Sequence, residues 1–284
     1  MLSPSRHPSK ACSPSWCRPK SSGTRSGSDL SSVLDFRISA SYGTTEVLHQ
    51  VAATIAPGEI VSLVGLSGSG KSTLALALLR LLRYRGGVVT GNIRLEGTEL
   101  TTLSESGMRA IRGRRIGYVP QSPGLSLNSR LRVETLLDET WRAHASRSAN
   151  HRGLLESVQL PADTAFLRKR AGELSTGQGQ RLLIALALMH GPALLLADEP
   201  TSALDAIAQA GVLQLFGRIN RERGTAILFI SHDLLSVAGI SHRVDILHEG
   251  RLVESGSPAA VFRTPQHPFT RQLVAAMPRL TLPD

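Results

Sequence analysis

The run Gly65-Leu66-Ser67-Gly68-Ser69-Gly70-Lys71-Ser72-Thr73 fits the pattern G-x-x-x-x-G-K-[ST]. Glycines at this spacing let successive backbone N–H groups turn inward, a concave shape that holds phosphate oxygens. Ser67, Gly68, Ser69 and Gly70 supply that backbone, and a helix opening beyond them adds about half a positive charge. Lys71 can reach the β- and γ-phosphates of a nucleotide, and the Ser72 hydroxyl, with Thr73 beside it, can ligate Mg²⁺. Only Lys10, Lys20, Lys71 and Lys169 occur in the whole chain, so a lysine where a compact point charge is wanted marks this site. A second chemical group follows: Leu194-Leu195-Leu196-Ala197-Asp198-Glu199-Pro200 is an apolar run ending in two carboxylates. Beside a phosphate loop, Asp198 suits Mg²⁺ and Glu199 suits the polarisation of an attacking water.

Such a site needs elements to hold it. Val33 to Ile38 and Val51 to Ile55 read as strands set around Gly43 and Pro57-Gly58. Ile60 to Val64 is an apolar run stopped by glycine, the pattern of a buried central strand, and the spacing predicts a helix from Ser72 to about Leu82. Residues from about 122 to 173 are rich in helix formers and read as a helical insertion. Ala193 to Ala197 and Ala226 to Ile230 are two further buried strands. Leu182 to Met189 has no polar face and is expected to be buried. This order predicts an α/β nucleotide-binding core with a helical subdomain.

Composition narrows the partners. The longest apolar stretch, Leu182 to Met189, is far short of the roughly 20 residues of a spanning helix. Cys12 and Cys17 are the only cysteines and suggest neither a disulfide framework nor a metal ribbon. Arg6, Lys10, Arg18, Lys20 and Arg25 against Asp29 carry four of the ten formal positive charges. No dense Lys/Arg run and few aromatic residues accompany that charge, so no nucleic-acid partner is expected. Residues 1–30, dominated by Ser, Pro, Gly and Arg, read as a disordered, dispensable tail. Pro4, Pro8, Pro14 and Pro19 argue against the amphipathic helix of a transit peptide. Deleting residues 1–30 is expected to leave nucleotide hydrolysis intact; a large loss in a steady-state assay overturns that reading.

Glu173-Leu174-Ser175-Thr176-Gly177-Gln178-Gly179-Gln180-Arg181, taken with the Asp198-Glu199 segment, resembles the ATP-binding cassette (ABC) family from about Val33 to the C-terminus. Ser175 also reads as a plain helix cap. The resemblance implies an α/β fold of ABC ATPase type: a P-loop NTPase (RecA-like) core with an antiparallel β subdomain and a helical subdomain at about 122–175. It places the ATPase domain at 31–262 and a C-terminal segment at 263–284. Tyr42, 23 residues before Gly65, falls where the family sets an aromatic ring against adenine. Gln121 matches the Q-loop glutamine that contacts metal and water, Asp205 lies in the matching D-loop, and His232 matches the switch histidine. Glu199 and His232 are then the catalytic pair; Ser72, Gln121 and Asp198 surround Mg²⁺; and Ser175, Gly177 and Gln178 bind the ATP of a partner. The segment departs from L-S-G-G-Q at Thr176 and has an unusual Gly179, expected to cost about 1 kcal/mol relative to alanine inside a helix.

Two local pieces narrow the resemblance. Ser126-Leu127-Asn128 and His267-Pro268-Phe269-Thr270 are similar to segments of dipeptide, oligopeptide and nickel importer ATPases. Absence of a cysteine-bearing extension before Asp284 points to the shorter members. The implied function is ATP hydrolysis that drives uptake through two separate membrane permease subunits. A second ABC ATPase subunit and an extracytoplasmic solute-binding protein would complete the assembly, at the cytoplasmic face of the plasma membrane. The alternative, a non-transport ABC ATPase of DNA-repair or translation-factor type, calls for a coiled coil, zinc modules or a second cassette, and none is legible. A P-loop small-molecule kinase would lack the signature segment and the switch histidine. A module that holds ATP without hydrolysing it would be expected to lose Glu199 or His232.

Overall fold

The computed structural model describes residues 32–145 and 151–277. The tail expected over residues 1–30, with Cys12 and Cys17, lies outside the described residues. In chain order the elements are β1 (Leu34–Tyr42), β2 (Thr45–Ile55), β3 (Ile60–Val64), α1 (Lys71–Leu78), β4 (Gly87–Leu95), β5 (Thr98–Glu99), α2 (Glu105–Ile111) and β6 (Ile116–Val119). A helical stretch follows, with α3 (Pro123–Ser126), α4 (Val133–Arg142), α5 (His151–Ser157) and α6 (Thr164–Arg168), and then the longer α7 (Thr176–Leu188). The chain returns through β7 (Leu194–Asp198), α8 (Ala206–Arg223), β8 (Ala226–Ser231), α9 (Leu234–Ala238), β9 (Arg243–His248), β10 (Arg251–Gly256), α10 (Pro258–Arg263) and α11 (Pro268–Ala275).

Two sheets result. One is antiparallel, in the order β2-β1-β4-β5; the other runs β10-β9-β3-β8-β7-β6 and is parallel except for its β10 edge. The apolar runs of β3, β7 and β8 are explained by burial on both faces, as parallel sheets require. Ile60, Val64, Leu195, Ala197, Ile227 and Phe229 face one core, with α4 to α8. Val61, Leu63, Leu194, Leu196, Leu228 and Ile230 face the other, with α1 and the antiparallel sheet. Leu182 to Leu188 except Leu186 are buried in the first core, as their unbroken apolar character predicts.

Phe229 sits at the centre of that core, edge-on to Phe216 with ring centroids 5.1 Å apart. Phe229→Ala is expected to cost about 3–5 kcal/mol through lost burial and a residual cavity. A urea midpoint unchanged from the parent would refute it.

The first helix is shorter than predicted. It ends at Leu78, because Arg80 turns left-handed at φ 53°, with the Leu81 N–H on the Leu76 carbonyl (2.8 Å) and the Arg80 N–H on Ala77 (2.9 Å). That is a Schellman ending with arginine where glycine is usual. The Arg80 guanidinium donates to the carbonyls of Leu100 (2.7 Å) and Leu103 (2.5 Å), which offsets the backbone strain.

Candidate active site

All the carboxyl ends of the parallel strands open on one side. The phosphate loop follows β3, Gln121 follows β6, Glu199 follows β7 and His232 follows β8. In an open α/β sheet this edge is where ligands bind.

Residues 65–70 form a tight loop ahead of α1. At Gly65 a Cβ would come 2.3 Å from the Leu247 carbonyl oxygen, so β9 packs on a bare backbone there. Gly70 caps α1 at φ 102°, and a side chain on it would strike Leu48 of β2 at 2.7 Å. The antiparallel sheet thereby presses on the loop through Val47 and Leu48. Tyr42 pairs with Thr45 across the turn and with Gly87 of β4, and is half-buried. Ser67 and Gly68 are exposed at the loop tip, Ser72 is exposed at the start of α1, and Thr73 is half-buried. Ser69 is buried, and its hydroxyl has no hydrogen-bond partner. An orphaned donor within a loop of inward N–H groups is what a phosphate oxygen would satisfy.

Lys71 is 5 % exposed. Its ammonium donates to the carbonyls of Gly65 (2.8 Å) and Leu66 (2.9 Å) and lies 3.7 Å from Glu199 Oε1. Burial lowers its pKa from the ordinary lysine value, opposed by the charges of Glu199 and Asp198. The Ser72 hydroxyl donates to Asp198 Oδ1 at 3.2 Å, so two hard oxygen donors sit side by side. That donor set fits a divalent cation such as Mg²⁺.

Glu199 is the hub. Gln121 Nε2 donates to Glu199 Oε2 at 3.1 Å, and His232 Nδ1 lies 3.2 Å from the same oxygen. Gln121 thus reaches the carboxylate of Glu199 rather than the Ser72–Asp198 pair. The backbone of Glu199 is left-handed at φ 46°. It is pinned on both sides, with its N–H on the Ile230 carbonyl (3.0 Å) and its own carbonyl accepting from Ser202 N (3.2 Å) and Oγ (3.1 Å). Strain held this firmly at a strand end aims a side chain.

The other predicted residues gather elsewhere. Ser175 caps α7 in a reciprocal box, its hydroxyl accepting from the Gln178 N–H and Gln178 Oε1 accepting from the Ser175 N–H, both at 3.2 Å. Asp205 caps α8, accepting from the Ala208 N–H at 2.8 Å. These two helix starts are neighbours, since a Cβ at Gly177 would lie 3.7 Å from Ala208 Cβ. Among the described residues, no hydrogen bond or ion pair joins this group to Lys71, Asp198 or Glu199. Gly177 has room for a Cβ within its own chain, whereas Gly179 is tight: a Cβ there would meet Pro123 Cβ at 3.0 Å. The bare backbone at Gly179 lies where α3 comes close to α7.

A matching family model, described as ABC transporter, covers residues 48–202. A putative peptide import ATP-binding protein of Brucella ovis is 43% identical over 246 residues, spanning 82% of this chain and 72% of that protein. The chain belongs to the ABC transporter family. This cassette is also 39% identical over 249 residues to the glutathione import ATP-binding protein GsiA of Escherichia coli, over 82% of its own length and 40% of that of GsiA. Its fold matches an ATP-binding cassette solved as a post-hydrolysis dimer with ADP and Pi, at a TM-score of 0.68 and 25% identity, over 79% of this chain and 98% of that one. It also matches cbiO1 of Clostridium perfringens, at a TM-score of 0.71 and 25% identity, over 82% and 92%. The cassette is accordingly an ATP-binding, ATP-hydrolysing subunit, and the repair or translation alternative is not favoured.

Sequence reasoning passed over Tyr118. Its hydroxyl lies 3.4 Å from Asp198 Oδ2, on the oxygen that Ser72 does not use. The signal was a phenol in a short buried strand three residues before Gln121.

Burial holds the Asp198 carboxyl above its ordinary pKa, with the charge of Glu199 adding, while Ser72, Tyr118 and Lys71 pull it down. A carboxyl that keeps its proton more tightly when folded loses stability as pH rises from the ordinary carboxylate range through the raised value. Asp198→Asn removes that loss. In nucleotide-free, metal-free protein its Tm advantage is expected to widen across that window and then level off. Thermal melts at stepped pH showing a pH-independent difference would refute it.

Proposed function

We propose that this cassette works as one half of an ATP-clamping pair and energises uptake of peptides through separate membrane-spanning permease subunits. Peptides are supported by the names of its relatives; nickel rests only on the short S-L-N and H-P-F-T similarities. Among the described residues no helix is long and apolar enough to cross a membrane. Spanning partners would hold the pair at the cytoplasmic face, with an extracytoplasmic solute-binding protein delivering cargo.

One observation carries the paired reading. The capped helix start at Ser175 and Gly177 is built to meet an anion, yet it forms a group apart from Lys71 and Glu199 within its own chain. Two chains related by a two-fold axis would place each helix start over the other's phosphate loop. In that arrangement Lys71 and the loop N–H groups hold the β- and γ-phosphates, and Tyr42 lies against adenine. Ser72 and Asp198 would hold Mg²⁺, which would supply positive charge against the phosphates, while Gln121 stands on Glu199. Glu199 takes a proton from the attacking water as its oxygen bonds to the γ-phosphorus and the β–γ bridge breaks. His232, on the same carboxylate, holds Glu199 in line and faces the γ-phosphate. Gln121 links this carboxylate to the surface near α3, where permease helices would feel closure. Asp205 sets the start of α8 against the partner.

Gly177→Asp tests the pairing, because a Cβ there meets only Ala208 Cβ, at an ordinary 3.7 Å. A carboxylate facing the partner's γ-phosphate costs several kcal/mol. Hydrolysis should fall by about 100-fold or more, with single-chain ATP affinity kept. Parent-rate hydrolysis and an intact ATP-dependent dimer would refute the sandwich.

A further inference from the structure

We infer that Tyr118 is a positioning residue for the metal-binding carboxylate, holding Asp198 so that one oxygen is left for the cation. The inference deepens the reading of Ser72 and Asp198 as Mg²⁺ ligands and rests on it.

The geometry comes from strand register. Tyr118 on β6 is level with Leu196 on β7, two residues short of Asp198, so the three side chains share one face of the sheet. A tyrosine ring is long enough to cover that diagonal and bring its hydroxyl to the carboxylate. The Tyr118 hydroxyl donates to Asp198 Oδ2 at 3.4 Å, while the Ser72 hydroxyl donates to Oδ1 at 3.2 Å. The two oxygens are thereby made unequal. Oδ1 faces the start of α1, where Ser72 and Asp198 together would hold the cation. Oδ2 is turned toward β6 and engaged by the phenol.

Asp198 is 6 % exposed, so water has little access to replace a lost partner on Oδ2. Tyr118 is half-buried and its ring packs against the core on the side of α1 and the antiparallel sheet. Phenylalanine would keep that packing and remove only the hydroxyl. A carboxylate freed on one side can rotate, and each misaligned rotamer weakens the cation site without touching the phosphate loop. Groups that orient a metal ligand typically carry about 10–100-fold of metal affinity. A contact of 3.4 Å belongs at the weaker end, about tenfold.

The experiment is a binding titration on the full chain. A fluorescent ATP analogue is bound first in EDTA and then at increasing Mg²⁺, for the parent, Tyr118→Phe and Tyr118→Met. Both variants should keep the metal-free affinity within about twofold and need about tenfold more Mg²⁺ for half-saturation. Methionine is apolar but smaller and flexible, so agreement between two variants of different shape assigns the effect to the lost phenol oxygen. A metal-dependent parent with an unshifted Mg²⁺ midpoint in Tyr118→Phe overturns the role of Tyr118 alone. A parent that ignores Mg²⁺, or an Asp198→Asn chain with the parent's Mg²⁺ midpoint, removes the metal site and this role with it. A variant that loses metal-free affinity as well overturns the inference in favour of plain packing.

Discussion

Glu199→Gln is expected to bind ATP as the parent does, lose at least about 100-fold in hydrolysis and accumulate as an ATP-bound dimer. The reason lies in what surrounds the side chain. Glutamine keeps the shape, and its single amide oxygen can still accept from Gln121 Nε2, so closure on nucleotide is preserved. It cannot take a proton from water, so the step that opens the clamp fails. Removal of one charge beside Lys71 and Asp198 also favours the closed state, since less negative charge then faces the γ-phosphate. Light scattering with ATP should show a dimer that persists where the parent's decays. Hydrolysis at the parent rate would remove Glu199 from the catalytic role.

Lys71→Ala is expected to lose about 100-fold or more in ATP affinity, the equivalent of one or two charge-assisted hydrogen bonds at about 1.5–3 kcal/mol each. The ammonium is buried and already aimed, resting on the Gly65 and Leu66 carbonyls within reach of Glu199. It therefore has little freedom to lose when phosphate arrives, and its worth is spent on the ligand. Its removal also leaves Asp198 and Glu199 without their cation. Calorimetry that returns the parent affinity would count against the phosphate loop as the nucleotide site.

Much of this site was legible because its parts are constrained locally. A bare backbone at Gly65 and a left-handed cap at Gly70 follow from one tight turn, and the pattern records them directly. β3, β7 and β8 were legible because burial on both faces leaves only apolar residues. β9 and β4 were not, since Arg243, Asp245, Asn92 and Arg94 interrupt their apolar pattern; Arg243 and Asp245 satisfy each other in an ion pair at 3.0 Å. The end of α1 was hidden for a similar reason: Arg80 does the work of a glycine only because distant carbonyls hold its guanidinium. Tyr118 could not be read either, because its partner is 80 residues away and the register that joins them exists only in the sheet. Pro123, the tight neighbour of Gly179, is likewise distant in the chain and could not be read from it.

The positive φ of Glu199 bears on how this protein can be engineered. An L-residue in that conformation typically forgoes about 1–3 kcal/mol that glycine would not. Directed evolution scored on heat tolerance alone would therefore drift toward glycine at 199 and deliver sturdier, inert protein. Libraries made from this scaffold need a turnover screen at every round.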